Sequence, residues 1–144
     1  MVGAIMNIIQ LKAAELELQQ AKDVADRVIG VLIADADHFK KINDTYGHLT
    51  SDTVLREVAS RIVQSIRLYD GAGRYGGEEF LVVLPAFDKT NIEQSTNRIR
   101  LAIASTPIPV AGSKIPVTAS IGATSIDARG CSERQALFNA DKAL

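Results

Sequence analysis

Cysteine is almost missing from this 144-residue chain. The single thiol, Cys131, excludes an internal disulfide and any metal site built on several thiolates, and it fits a reducing, cytoplasmic setting. Tryptophan is absent, and three Tyr and four Phe make up the whole aromatic complement. That is too few for the stacking platforms that hold single-stranded nucleic acid. Neither sign of charge dominates: sixteen Lys and Arg face seventeen Asp and Glu, a net charge of −1. Wholesale attraction to nucleic acid or to an anionic membrane is therefore not expected. The longest apolar run, Val28 to Ala34, is far too short to cross a bilayer. The N-terminus has no basic segment leading into a long apolar stretch, so no signal peptide is expected. What remains is about one domain's length of chain, 47% apolar and 23% charged, which is enough to bury a core.

The pattern of residues predicts a mixed α and β order. Residues 10–28 lack Gly and Pro and are rich in Ala, Leu, Glu, Gln and Lys, which predicts a helix. Leu11, Ala14, Leu18, Ala21, Ala25 and Val28 alternate at spacings of three and four, a short heptad seam. The seam fits a coiled coil or one amphipathic helix packed on its own domain. Residues 28–36 are β-branched and continuously apolar, which predicts a strand buried on both faces. A polar, turn-rich stretch at 38–50, with a short helix at its centre, precedes a helix capped by Thr50 or Ser51. That helix carries Val54, Leu55, Val58, Ile62 and Ile66 on one face and Arg61 off it, and Gly71 and Gly73 are expected to stop it. Short strands near 72–75 and 79–84 flank Gly76-Gly77-Glu78, a hairpin signal, and Pro85 ends the second. Thr90 and Glu93 form a capping box for a helix bearing Ile92, Ile99 and Ile103. Strands at 108–111 and 115–124 are joined through Gly112-Ser113, and a last helix starts at Ser132. This order predicts an α+β fold, an antiparallel or mixed sheet with helices on one side.

Two places concentrate unusual chemistry. A buried strand that ends in Asp35 and Asp37 is costly unless its charge is compensated. Mg²⁺ does this with one or two carboxylates plus substrate phosphates. A hairpin presenting Glu78 and Glu79 beside that strand end would add further carboxylates. Two metals flanked by shared carboxylates can activate an attacking hydroxyl and stabilise the departing oxygen in phosphoryl transfer. Gly76 and Gly77 would let substrate approach the backbone closely. Phe39 and Lys40 follow the aspartates, where backbone N–H groups and an ammonium can meet phosphates. Taken singly, each feature is an ordinary strand end or turn. Taken together, they predict a Mg²⁺-dependent site acting on a nucleotide phosphate, and the spacing argument goes no further.

RYGGEEF at residues 74–80, with DADHFKKINDTYGH at 35–48, resembles the GGDEF domain of diguanylate cyclases in its GGEEF form. SIGAT at 120–124 and NADKAL at 139–144 resemble later segments of the same family. The likeness divides the chain into a GGDEF domain at 28–144 and an N-terminal helix at 1–27 similar to a signalling linker. It implies a central, mainly antiparallel sheet with surrounding helices, akin to adenylyl cyclases and the polymerase palm. It also implies a reaction: condensation of two GTP into cyclic di-GMP and two pyrophosphates, with each subunit of a homodimer presenting one GTP to the other. Carried over by position, Asp35, Glu78 and the Ala36 carbonyl would hold Mg²⁺, or Mn²⁺ in its place. Glu78 would help deprotonate the attacking 3′-hydroxyl, and Glu79 would support it. Asn43 and Asp52 would read the guanine edge, a carboxylate accepting from N1–H and N2–H and an amide pairing with the acceptors. Phe39, through its backbone, and Lys40 would contact the triphosphate, with Gly76 and Gly77 lining it. Arg67-Leu68-Tyr69-Asp70 resembles the family's RxxD inhibitory site for the cyclic dinucleotide, because an arginine can fork onto phosphate or stack on guanine.

Two segments depart from the family pattern. In place of an opening DxLTGLxNRR, the chain has VGAIMNII at 2–9, which keeps Asn7 and lacks both arginines. It also stops at Leu144, ahead of the family's YxAKxxGRN run, whose cationic contacts to the triphosphate are expected to be lost. His38 and His48 form no two-histidine metal pattern, and Cys131 has no basic neighbour to activate it. The competing functions are an inactive module that senses GTP or cyclic di-GMP and a dimerisation or relay element in a longer protein with a sensor domain.

Overall fold

The structure, a computed structural model, describes residues 2–25, 28–85, 89–127 and 133–143. Helix α1 (Val2–Ala25) leads into strand β1 (Val28–Ala36), a short helix α2 (Phe39–Tyr46) and a long helix α3 (His48–Ser65). Strands β2 (Gly71–Gly76) and β3 (Glu79–Pro85) form the expected hairpin. Helix α4 (Lys89–Ala104), strands β4 (Ile108–Val110), β5 (Ser113–Ile115) and β6 (Ala119–Asp127), and helix α5 (Glu133–Ala143) complete the order.

The main sheet runs β2-β3-β1-β6 and every pairing in it is antiparallel. Alternation on its strands builds two cores. Leu32 and Ala34 of β1 and Phe80, Val82 and Leu84 of β3 face one side, packed with Val54, Leu55, Val58 and Ile62 of α3 and Ile92, Ile99 and Ile103 of α4. Val31 and Ile33 face the other side, where Ala140 of α5 closes over them with Ile29, Leu81 and Ile126. Helices thus cover both faces, not one. The doubly apolar β1 required this, since a strand buried on both faces needs a layer on each. Gly30 belongs to the same packing: a Cβ there would stand 3.0 Å from Ile92 Cγ1, so glycine lets α4 lie close on β1.

Several boundaries differ from expectation for local physical reasons. Helix α1 begins at Val2 and not at residue 10, and Val28 belongs to β1, so the heptad seam loses its last member. Residues 6–20 of α1 are exposed, so this stretch of the helix is not packed on the domain. Neither Thr50 nor Ser51 caps α3, which starts three residues earlier behind Gly47 at φ 83°. Gly71 and Gly73 lie inside β2; α3 has already ended at Ser65, with Ile66 in an extended conformation. Thr90 sits within α4, not at its cap. The strand expected at 115–124 divides: β4 and β5 make a separate hairpin turned by Ala111 (φ 48°) and Gly112 (φ 81°), and β6 starts afresh at Ala119. Ser132 and Cys131 lie outside the described residues. Arg61, placed on the solvent face by periodicity, instead closes the end of α4: its Nη1 donates to the Ile103 and Thr106 carbonyls, both at 2.7 Å. Arg98 of α4 donates in return to the Ser65 carbonyl at 2.8 Å, so each helix satisfies the terminal carbonyls of the other.

Candidate active site

The C-terminal end of β1 and the turn between β2 and β3 meet at one corner of the sheet. Asp35 is opposite Glu79 in the ladder, and the Ala36 N–H donates to the Glu78 carbonyl at 3.2 Å. The hairpin is irregular between Arg74 and Gly76, with Gly76 opposite Glu79, so Gly77 and Glu78 form the turn. Arg74 braces it by donating from Nε and Nη2 to the Gly77 carbonyl at 2.9 and 2.6 Å. Neither Gly76 nor Gly77 has a positive φ, and a Cβ on either would meet no protein atom within 4 Å. Nothing in the chain's own packing demands glycine at these two positions, and the space beside them is open.

Negative charge gathers at this corner. The Asp35 carboxyl lies above its ordinary value because burial disfavours the anion, with Glu78 and then Asp37 adding repulsion. The Glu79 carboxyl is also raised, first by burial and then by Asp35, Asp141 and Glu78. Asp141, on α5, is a member of this group that sequence spacing did not find; the only signal was its place in the NADKAL segment. Asp37 lies on the same face as Asp35, beside Ser120, the residue opposite Asp35 in the ladder, but its carboxylate is already engaged. Strand β1 ends at Ala36, and the Asp37 carboxylate accepts from Thr118 Oγ1 at 2.7 Å and Ser120 Oγ at 2.6 Å. Among the described residues, no group of three or more His, Cys, Asp or Glu side chains is arranged to cage a metal ion. Two carboxylates and a backbone oxygen do suit Mg²⁺ that completes its shell with water and phosphate, and the mutual repulsion of these carboxyls favours a cation.

Helices α2 and α3 carry the next residues. Phe39 packs against the core, leaving its backbone for other contacts, while Lys40 is exposed. Asn43 and the α3 N-terminus are joined by Ser51, whose buried Oγ lies 2.9 Å from Asn43 Oδ1. Bonded this way, the Asn43 amide turns its NH₂ group away from Ser51. Asp52 is exposed and lines a groove of about 270 Å³ between α3 and β2, with Arg56, Gly73, Arg74 and Phe80 among its walls; Asn43 is not part of that lining.

Arg67 and Asp70 follow α3, and the structure brings them together with each other, not with the carboxylate corner. Arg67 Nη2 donates to Asp70 Oδ1 at 2.8 Å and to the Pro85 carbonyl at 2.9 Å, and the Arg67 N–H donates to Asp70 Oδ2 at 2.8 Å. The hydrogen bonds that Arg67 donates to Asp70 raise its guanidinium further still, and the Tyr69 ring lies 4.3 Å beneath it. The Asp70 side chain is wholly buried while that of Arg67 is 29% exposed.

An antiparallel sheet with helices on both faces, presenting carboxylates from its central strand and an adjoining hairpin turn, defines an α+β domain of the nucleotide-cyclase type. The family model described as "Diguanylate cyclase, GGDEF domain" matches residues 7–144, and the chain belongs to that family. It is 38% identical over 128 residues to diguanylate cyclase DgcP of Pseudomonas aeruginosa, an alignment covering 85% of this chain and 19% of that protein. The crystal structure of diguanylate cyclase SiaD from the same species, in complex with its activator SiaC, aligns with a TM-score of 0.78 and 31% identity, covering 92% of this chain and 52% of that one. The GGDEF domain of DgcB from Caulobacter crescentus, in complex with c-di-GMP, aligns with a TM-score of 0.74 and 33% identity, covering 92% and 80%. This chain spans less than a third of the length of the curated relatives it matches. No described helix is long and apolar enough to cross a membrane.

Proposed function

We propose that the chain is the catalytic domain of a diguanylate cyclase, condensing two GTP into cyclic di-GMP and two pyrophosphates. The observation that carries this reading is the corner where the Ala36–Glu78 backbone bond draws the GGEEF turn against the end of β1, bringing Asp35 and Glu78 to one place. Asp35, the Ala36 carbonyl and Glu78 would hold Mg²⁺ or Mn²⁺. That ion, when bound, neutralises triphosphate charge and stabilises the departing pyrophosphate. The chain's own groups do the rest. Lys40 and the backbone at Phe39 bind the triphosphate, and the open space at Gly76 and Gly77 admits it. Glu78 takes the proton of the attacking 3′-hydroxyl, with Glu79 in support. The 3′-oxygen bonds to the α-phosphorus, the bond from that phosphorus to the pyrophosphate oxygen breaks, and the step occurs once on each GTP.

Asp52 would accept from guanine N1–H and N2–H, and Asn43 would donate to the guanine acceptors through the NH₂ group that Ser51 leaves outward. Adenine would leave these groups unpaired. Two GTP sites facing each other require two copies of the chain. Residues 1–27 read as a signalling linker whose exposed seam, including Leu11 and Leu18, pairs two copies. Arg67 and Asp70 would form a product site that restrains the dimer. Incubating purified protein with GTP and Mg²⁺ tests the reading: cyclic di-GMP and pyrophosphate are expected in a ratio of one to two. Mg²⁺-dependent GTP binding without product would instead mark a sensor module.

A further inference from the structure

We propose that Asp37, Thr118 and Ser120 form a positioning clamp that aims the Ala36 carbonyl at the metal corner. The inference rests on the cyclase reading above. The Asp37 carboxylate is committed on both oxygens, to Thr118 Oγ1 at 2.7 Å and Ser120 Oγ at 2.6 Å. Its backbone N–H donates to the Thr118 carbonyl at 2.9 Å, on the β6 side of β1. A trans peptide is planar, with C=O and N–H pointing oppositely. The Ala36 carbonyl, in the same plane as the Asp37 N–H, is therefore turned away from β6 and toward the hairpin. The Ala36 N–H, donating to the Glu78 carbonyl, points to that side as well, as extended geometry requires.

This plane needs holding because regular structure stops here. Strand β1 ends at Ala36, and His38 takes φ 55°, a left-handed conformation that reverses the chain into α2. The ladder between β1 and β6 reaches only to Ala36 opposite Ala119. Beyond it, three hydrogen bonds from one short stretch of β6 and its approach hold residue 37. Asp37 is thus not a third metal carboxylate. It is the residue through which two hydroxyls of the TASIG stretch orient a backbone ligand, as second-layer partners orient metal ligands elsewhere.

The test uses the full chain, Mg²⁺ and 3′-deoxy-GTP, which lacks the attacking hydroxyl and cannot be condensed. In Thr118→Val/Ser120→Ala, calorimetry should show Mg²⁺-dependent binding weakened by about ten- to a hundredfold, the usual loss for second-layer partners of a metal. The metal-free melting temperature should stay that of the parent, because the β1–β6 ladder does not use the hydroxyls. Thr118→Ser/Ser120→Thr keeps both donors and should bind as the parent does. Parent-like affinity in Thr118→Val/Ser120→Ala, or equal loss in both double variants, overturns the clamp alone. A parent chain that binds no 3′-deoxy-GTP with Mg²⁺ overturns the cyclase reading, and the clamp with it.

Discussion

Asp35 would link the proposed metal site to stability through its raised carboxyl. In the fold its proton is held more tightly than in the unfolded chain, whose value is the ordinary 3.8. Where the native state binds more protons, stability falls as pH rises. The penalty begins near pH 3.8, grows through the raised folded value and is complete above it. Asp35→Asn should therefore melt at a higher temperature than the metal-free parent at pH 7, with the gap closing as the pH approaches 3.8. The same variant, like Glu78→Gln, should form no cyclic di-GMP. Wild-type turnover in either would remove the metal assignment. Asp52 makes a different case, because it is exposed. Asp52→Ala should weaken GTP binding by about 1–3 kcal/mol, the cost of leaving guanine donors unpaired. ATP should not compete with GTP in the parent, as displacement assays can show.

Between α3 and β2, Arg67 and Asp70 act as a structural clasp whatever they bind. A wholly buried carboxylate depends on its guanidinium, so Arg67→Ala should destabilise the chain by about 1.5–3 kcal/mol, the range for hydrogen bonds to charged groups. Removing both partners in Arg67→Ala/Asp70→Ala eliminates the orphaned charge and should restore part of that loss in a denaturant titration. Cyclic di-GMP binding should vanish in both variants and persist in Glu78→Gln. Retained product binding in the double variant would leave the clasp as an ordinary helix end. Sequence spacing located the pair, but not its occupation by Pro85 and Tyr69, which come together only through the fold and the local turn.

For the whole molecule, the unresolved charge and the uncovered helix point the same way. A chain of net charge −1 with carboxylates at its site has no general attraction for a polyanionic nucleotide, so binding must come from a cation and local donors. The proposed condensation needs two such sites facing each other. Helix α1 offers the means, with Leu11 at 63% and Leu18 at 73% exposure. Leu11→Glu/Leu18→Glu should convert a sedimenting dimer to monomer and remove cyclic di-GMP synthesis, while the melting of the remaining domain is unchanged. A parent chain that sediments as a monomer at the concentrations where it turns over GTP would refute this role for α1.

Periodicity and spacing alone were enough for β1, whose bounds at 28–36 follow from an uninterrupted β-branched run, and for the hairpin, whose double glycine stands between two strand patterns. Asp35 and Glu78 stood out as carboxylates at a strand end and a hairpin turn, whereas Asn43 and Asp52 entered only through the resemblance to the GGDEF family. Helix starts were less so: α3 begins at His48 because Gly47 takes φ 83°, while the stronger capping residue Ser51 is spent on Asn43. The second helical layer, the Arg61 and Arg98 end caps, the fate of Asp37 and the presence of Asp141 beside Glu79 were settled only by tertiary structure. Asp37 shows why. Alternation places it with Asp35 on one face, where Ser120 stands opposite Asp35, but the hydroxyls at 118 and 120 that engage its carboxylate are more than eighty positions away. A strand's pattern records which face a side chain takes while the strand lasts. It holds no record of the hydroxyls that another strand brings to its end.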